Sequence, residues 1–326
     1  MPPAAPEGAD APSAGTPRSI GARVWALPQL LLTLTALFWA GNAIAGQLAV
    51  DEVPPFLLTF VRWALVSLLL WPIYGRQVLA HWGQIRPRLG RIVLMGALGF
   101  TCFNALFYMA SERTSGVNIG ILQGALPVFV LAGAFLVHGS AVGRIQALGV
   151  LVTIAGVVLV AAQGAPLAVL EIGLNTGDLL MLAACVFYAF YTVALKDRPA
   201  IPGTVFFTLL CPIAAVTAIP LALAEAAALG PKLPTPEGWL VIAYVTLFPS
   251  CLAQIFFLRG VDLVGPSRAG VYINLVPIFA ALLAVALLGQ RFAGYHAVAL
   301  VLVLGGIWLA QRPVGATTPN RPELNK

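Results

Sequence analysis

The side chains able to bind or transform a small molecule are scarce in this sequence, and they fall at helical spacings within otherwise apolar stretches. Asn104 and Tyr108 are one helical turn apart, as are Ser250 and Gln254. Trp39 and Asn42 share a helical face, and so do Phe187, Tyr188 and Tyr191. In hydrocarbon, polar groups are unfavourable unless they meet a partner or a wet cavity. Two readings follow. The faces line a central cavity whose walls are part aromatic and part amide, or they form interhelical hydrogen bonds worth about 0.6 kcal/mol each. Arg62 is the clear ionisable residue inside an apolar stretch. It can anchor an anionic ligand group, pair with a neighbour, or extend to the nearer interface. Gln123 and Asn274 stand close to Pro127 and Pro277. Each proline lacks an N–H, frees a carbonyl and kinks its helix, so both a hinge and a ligand contact are open there.

The same inventory excludes other chemistry. His81, His138 and His296 have no carboxylate or cysteine at useful spacing, so no metal site, nucleophile or cofactor is expected. Cys102, Cys185, Cys211 and Cys251 lie inside apolar stretches and read as small core residues. There is no GxxxxGK[ST] phosphate loop, which excludes ATP-driven work by this chain alone. An intramembrane enzyme, such as one modifying lipids, would need an acid, base or nucleophile cluster near one interface. No His/Asp or Ser/His cluster is present to support that alternative.

The elements that position these residues follow from hydropathy. Of 326 residues 60% are hydrophobic and 9% charged, with a mean hydropathy of +0.93. Soluble domains carry about 25% charged residues, so a bilayer must serve as solvent. The net charge of +6 forms no stripe, which argues for a lipid surface and against a nucleic-acid partner. Stretches at about 28–50, 56–74, 92–110, 117–137, 145–163, 178–195, 203–223, 238–258, 266–288 and 294–311 suit the roughly 20 residues that a span needs. Residues 1–27 read as a disordered cytoplasmic N-terminus without a signal peptide, and 312–326 as a cytoplasmic tail. With the N-terminus inside, fourteen Lys and Arg fall on the inner side and only Arg113, Lys232 and Arg291 on the outer. Both termini are therefore expected in the cytoplasm, in a multi-pass cell (inner) membrane protein. Residues 75–91, with four Arg, His81 and Trp82, read as an interfacial loop touching anionic headgroups. Gly116, Gly120 and Gly124 form a stripe that lets another helix approach closely, more plausibly within a monomer than between copies.

The two halves are related. A shift of 150 aligns residues 116–160 with 266–310 without a gap. Gly120 meets Gly270, Pro127 meets Pro277, Gly139 meets Gly289 and Gly156 meets Gly306. Each half holds an odd number of spans, so the repeats have opposite topology. That is a transporter architecture, in which exchanging the conformations of two similar halves opens a central site to alternate sides. The expected fold is an all-α integral membrane protein of ten transmembrane helices, two inverted five-helix repeats (28–163 and 178–311) around a central cavity.

Marks along the spans sharpen this reading: Phe38-Trp39-Ala40-Gly41-Asn42, Arg62, Leu126-Pro127-Val128-Phe129, Gly177-Asp178, Tyr188, Val276-Pro277-Ile278-Phe279 and Gly305-Gly306. With the two-repeat layout they resemble the EamA-type branch of the drug/metabolite transporter superfamily, and within it the YddG-type amino-acid exporters. The resemblance implies a transporter, not an enzyme, exporting small metabolites such as amino acids, including aromatic or bulky neutral ones, or drugs and other metabolites. Its partners are a small-molecule substrate and the bilayer, and a monomer is expected. The family often carries a Glu just after spans 4 and 9, where this sequence has Gly139-Ser140 and Gln290-Arg291. Substrate contacts are expected from Trp39, Asn42, Arg62, Asn104, Tyr108, Gln123, Phe187, Tyr188, Tyr191, Gln254 and Asn274. Asp178 is expected to cap the start of span 6. With no Asp or Glu in mid-span, facilitated diffusion down the substrate gradient is expected.

Overall fold

The computed structural model describes residues 24–140, 142–165 and 175–312; most of the expected N-terminal segment and C-terminal tail, and Glu171, lie outside them. Among the described residues the chain is helical without strands. In order come α1 (Pro28–Leu48), α2 (Pro55–Ala80), α3 (Trp82–Ser111), α4 (Gly116–His138) and α5 (Arg144–Ala161). The second half holds α6 (Thr176–Asp197), α7 (Gly203–Leu229), α8 (Pro236–Val264), α9 and α10 (Gly294–Ala310). Helix α9 has two parts, α9a (Pro266–Ile273) and α9b (Leu275–Leu288). Nine of the helices are long and apolar enough to cross a membrane and α10 is a shorter apolar one, which makes this a multi-pass membrane protein.

Local chemistry sets the helix ends. Pro28, Pro55, Pro236 and Pro266 stand in first turns, where the missing N–H has no partner to lose. Ser115 and Thr235 accept from backbone N–H groups of their first turns, as does Asn175 at α6. Asn175 is thus the cap of α6, and Asp178 is not: its side chain is buried in the bundle instead. The segment 75–91 is not a loop either. Helix α2 runs on to Ala80, one turn at His81 reverses the chain, and α3 starts at Trp82. Its four arginines therefore lie along a helical corner.

The repeat recurs in backbone detail. Helix α4 breaks at Gly124-Ala125, between α4a (Gly116–Gln123) and α4b (Leu126–His138), and α9 breaks at Asn274. Pro127 and Pro277 cause this, since neither can donate back to residue 123 or 273. Wide i→i+5 turns occupy Ala97–Cys102 in α3 and Thr246–Leu252 in α8, again 150 residues apart. Gly139 and Gly289 end α4 and α9 with the same left-handed φ of 61°, which costs a glycine nothing. Gln146 and His296 each turn back to the backbone N–H three residues earlier.

We call the bundle end where α1 begins the near end and the opposite one the far end. At the far end α4a lies against α9b along the glycine stripe, inside one chain. A Cβ on Gly120 would stand 2.5 Å from that of Ala280, and one on Gly116 3.4 Å from that of Ala284. Toward the near end the halves part: α4b rests on α6, and α9a on α1 and α8. Gly270, the repeat mate of Gly120, would place a Cβ with nothing within 4 Å among the described residues.

Candidate functional site

The centre of the first cluster is Arg62, 5% exposed on α2. It does not extend to an interface. Its Nε donates to Ser250 Oγ at 2.6 Å, and its Nη1 to Asn104 Oδ1 at 2.8 Å, Tyr108 Oη at 2.5 Å and Asn42 Oδ1 at 3.1 Å. Tyr108 donates to Asn42 Oδ1 at 3.1 Å, and the Trp63 ring lies 5.1 Å from the guanidinium carbon. Four helices, α1, α2, α3 and α8, meet here. The wide turns prepare the meeting: that in α8 leaves the Val245 carbonyl to Ser250 Oγ at 2.5 Å and the Pro249 carbonyl to Trp39 Nε1 at 3.1 Å. In α3, Asn104 Nδ2 takes the Phe100 carbonyl at 2.6 Å. Among the described residues no carboxylate lies within salt-bridge distance of Arg62. A buried cation is thus held by neutral oxygens alone.

Of the remaining expected residues, Tyr188 stacks near Phe103 and Tyr191, at 5.1 and 5.3 Å between centroids. Tyr191 is buried against Phe100 and Gly99, whereas Phe187 and Gln254 are half-buried and make no side-chain hydrogen bond among the described residues. Gln123 and Asn274 stand apart from the Arg62 cluster, at the matched breaks of α4 and α9. Gln123 Oε1 and Asn274 Oδ1 are both buried with no hydrogen-bond partner among the described residues. Gln123 lies at the depth of Arg62, roughly 10 Å from the far end at 1.5 Å per residue, and Asn274 lies deeper, roughly 20 Å from that end.

Three far-end features escaped the sequence reading. A small pocket of about 10 Å³, room for one water, is lined by Gly46, Ala49, Val50, Val53, Pro55, Leu58, Tyr108 and Glu112, so it touches the cluster at Tyr108. Burial pushes the Glu112 carboxyl up, Arg113 opposes that, and Glu225 and Asp51 add to it. Beside it, Gln290 Nε2 donates to Gln47 Oε1 at 3.0 Å, and Gln47 Nε2 to the carbonyls of Ser111 and Thr114 at 2.7 and 2.9 Å. Gln290 Oε1 accepts from Val117 N at 3.3 Å, completing a latch between the repeats. Below it, Asp178 accepts from Thr114 Oγ1 at 2.5 Å and from Asn118 Nδ2 at 3.3 and 3.4 Å. Asn118 Oδ1 in turn faces His296 Nε2 at 3.2 Å. His296 has no carboxylate at useful spacing in the sequence, and the fold links it to Asp178 only through the Asn118 amide. The Thr114/Asn118 spacing of one turn was the only signal available for this group.

Comparison with known proteins agrees with this architecture. The profile of the EamA-like transporter family matches residues 27–162 and 175–311. An uncharacterized transporter of Archaeoglobus fulgidus is 30% identical over 288 residues, covering 86% of this chain and 96% of its own. The uncharacterized transporter YyaM of Bacillus subtilis is 26% identical over 70% of this chain and 74% of its own. The uncharacterized inner membrane transporter YedA of Escherichia coli K12 is 24% identical over 86% and 91%. One solved crystal structure shares the fold, with a TM-score of 0.54 at 21% identity, over 87% of this chain and 96% of its own.

Proposed function

Given that the chain belongs to the EamA-like transporter family, of the drug/metabolite transporter superfamily, we propose that this membrane transporter exports amino acids, in the manner of the YddG-type exporters. The observation that carries the proposal is the buried Arg62 guanidinium held without a carboxylate. An anionic group is the ligand such a cation lacks. The unpartnered carbonyls of Gln123 and Asn274 lack a donor, which an ammonium group supplies. A zwitterion complements both, and the rings of Trp39, Tyr188 and Phe103 favour bulky neutral side chains over charged ones.

The cycle we infer is alternating access. In this structure the far end is closed by the glycine seam and the Gln47–Gln290 latch, while the near halves of α4 and α9 part. With the near end cytoplasmic, in the inner membrane, the chain is poised to load substrate from inside. The test is proteoliposome counterflow with a panel of labelled amino acids, comparing wild type with Arg62→Gln. A neutral amino acid that exchanges, with at least tenfold slower exchange in the variant, is the expected result. Exchange of drugs or sugars but of no amino acid would overturn the substrate class and leave the transporter in place.

A further inference from the structure

Asp178 stands apart from the site just described. Its side chain is 0% exposed near the start of α6, and Asn175 already caps that helix. The carboxylate is held by Thr114 and Asn118 only, both neutral, and no Lys, Arg or His lies within salt-bridge distance among the described residues. Helix α4a brings no charged residue, and α6 holds no other near its start. Arg113, in the connection above, bonds the Met109 carbonyl and pairs with Glu112, which itself turns to Arg113. From α10 come Tyr295 and His296. The His296 ring is held neutral: Nδ1 accepts from Ala293 N–H at 2.9 Å, so the proton sits on Nε2 and is donated to Asn118 Oδ1. Ionising His296 would put two N–H groups face to face. The Tyr295 phenol stays neutral through pH 9, so between pH 5 and 9 Asp178 is the group here, among the described residues, able to change charge without dismantling a helix end.

Its neighbour Thr114 belongs to the latch. The hydroxyl donates to Asp178, and the carbonyl of the same residue accepts from Gln47, which holds Gln290. We propose that Asp178 is a proton-binding site whose occupancy, exchanged with water at the far side, sets whether the far end can open. A carboxylate walled off without a cation is unfavourable, so closure favours the protonated form and opening the ionised one. The proton adds to a carboxylate oxygen from far-side water and returns there; none crosses the membrane. High far-side pH therefore opens this end and low pH keeps it shut. The inference rests on the alternating cycle above, and it replaces indifference to pH with control from one side.

The test reads accessibility, so it needs no known substrate. Ala284→Cys is buried against Gly116 in the closed seam. Its labelling by an impermeant maleimide at the far side is followed from pH 5 to 9, relative to a Cys at exposed Glu237 to cancel the thiol's own titration. The expected relative rate climbs with pH by up to tenfold per unit before levelling. Asp178→Asn flattens the profile at the slow end, and Thr114→Val, which removes a donor to the carboxylate, moves the midpoint upward. A flat wild-type profile, or Asp178→Asn and Thr114→Val profiles that match wild type, would overturn the proposal. Absence of labelling at every pH, even with Gly120→Leu forcing the seam, would instead refute the alternating cycle.

Discussion

A polar side chain inside a membrane bundle can join helices, await a ligand or do both, and an unmet bond or an unpaired charge marks the second role. The oxygens of Asn42, Asn104, Tyr108 and Ser250 are all engaged by Arg62. Gln123 Oε1 and Asn274 Oδ1 are engaged by none of the described residues. Replacing either amide by Leu removes a buried unpaired carbonyl, so Gln123→Leu and Asn274→Leu should hold or raise stability, by about 1–3 kcal/mol. Transport should fall several-fold in both. Melting in detergent and initial rates in proteoliposomes check this together; lower stability with normal transport would make the amides structural. Tyr108→Phe should do the reverse, removing a hydroxyl that Arg62 and Asn42 both use and costing about 1–3 kcal/mol. The Asn104–Tyr108 pair was legible in the sequence because spacing fixes which residues share a helix face. That Asn42 and Ser250 complete the cluster was not, since no spacing rule relates residues on different helices.

At the level of elements, the matched prolines disclosed both helix breaks before the fold was in view. The wide turns were hidden. Pro249 marks one of them by removing the N–H that would bond Val245, but nothing in Ala97–Cys102 marks the other. The seam gives a test of the cycle. In the exchanged conformation, pseudo-symmetry brings Gly270 against Val130, as Gly120 now meets Ala280. Gly270→Leu fills space that is empty here and needed there. It should leave the melting temperature near that of wild type and nearly abolish turnover, with the far end protected from labelling. Gly120→Leu should act oppositely, exposing Ala284→Cys at the far side. Full turnover by Gly270→Leu would rule out the proposed swing of α9a.

For the whole molecule, the number and order of the spans could be read from hydropathy and the repeat, because both depend on how residues are distributed along the chain. Which end is shut could not, because a sequence with two interchangeable halves encodes both conformations equally. The orientation we infer from the Lys and Arg bias makes a direct prediction. In intact cells Cys at exposed Glu237 should react with an impermeant reagent and Cys at exposed Arg86 should not. Labelling at 86 would reverse inside and outside, and with them the direction of export. The Arg62 cluster also constrains how the chain is made. Insertion of a mid-helix arginine costs about 2.5–3.5 kcal/mol, and α2 enters the bilayer before most of its oxygens exist. Asn42 is synthesised ahead of it, Asn104 and Tyr108 follow in α3, and Ser250 arrives 188 residues later. Until then an otherwise apolar helix must retain an incompletely lodged charge. The last bond to that charge ties the first half of the nascent chain to the second, so the bundle is finished only when the ribosome has passed α8.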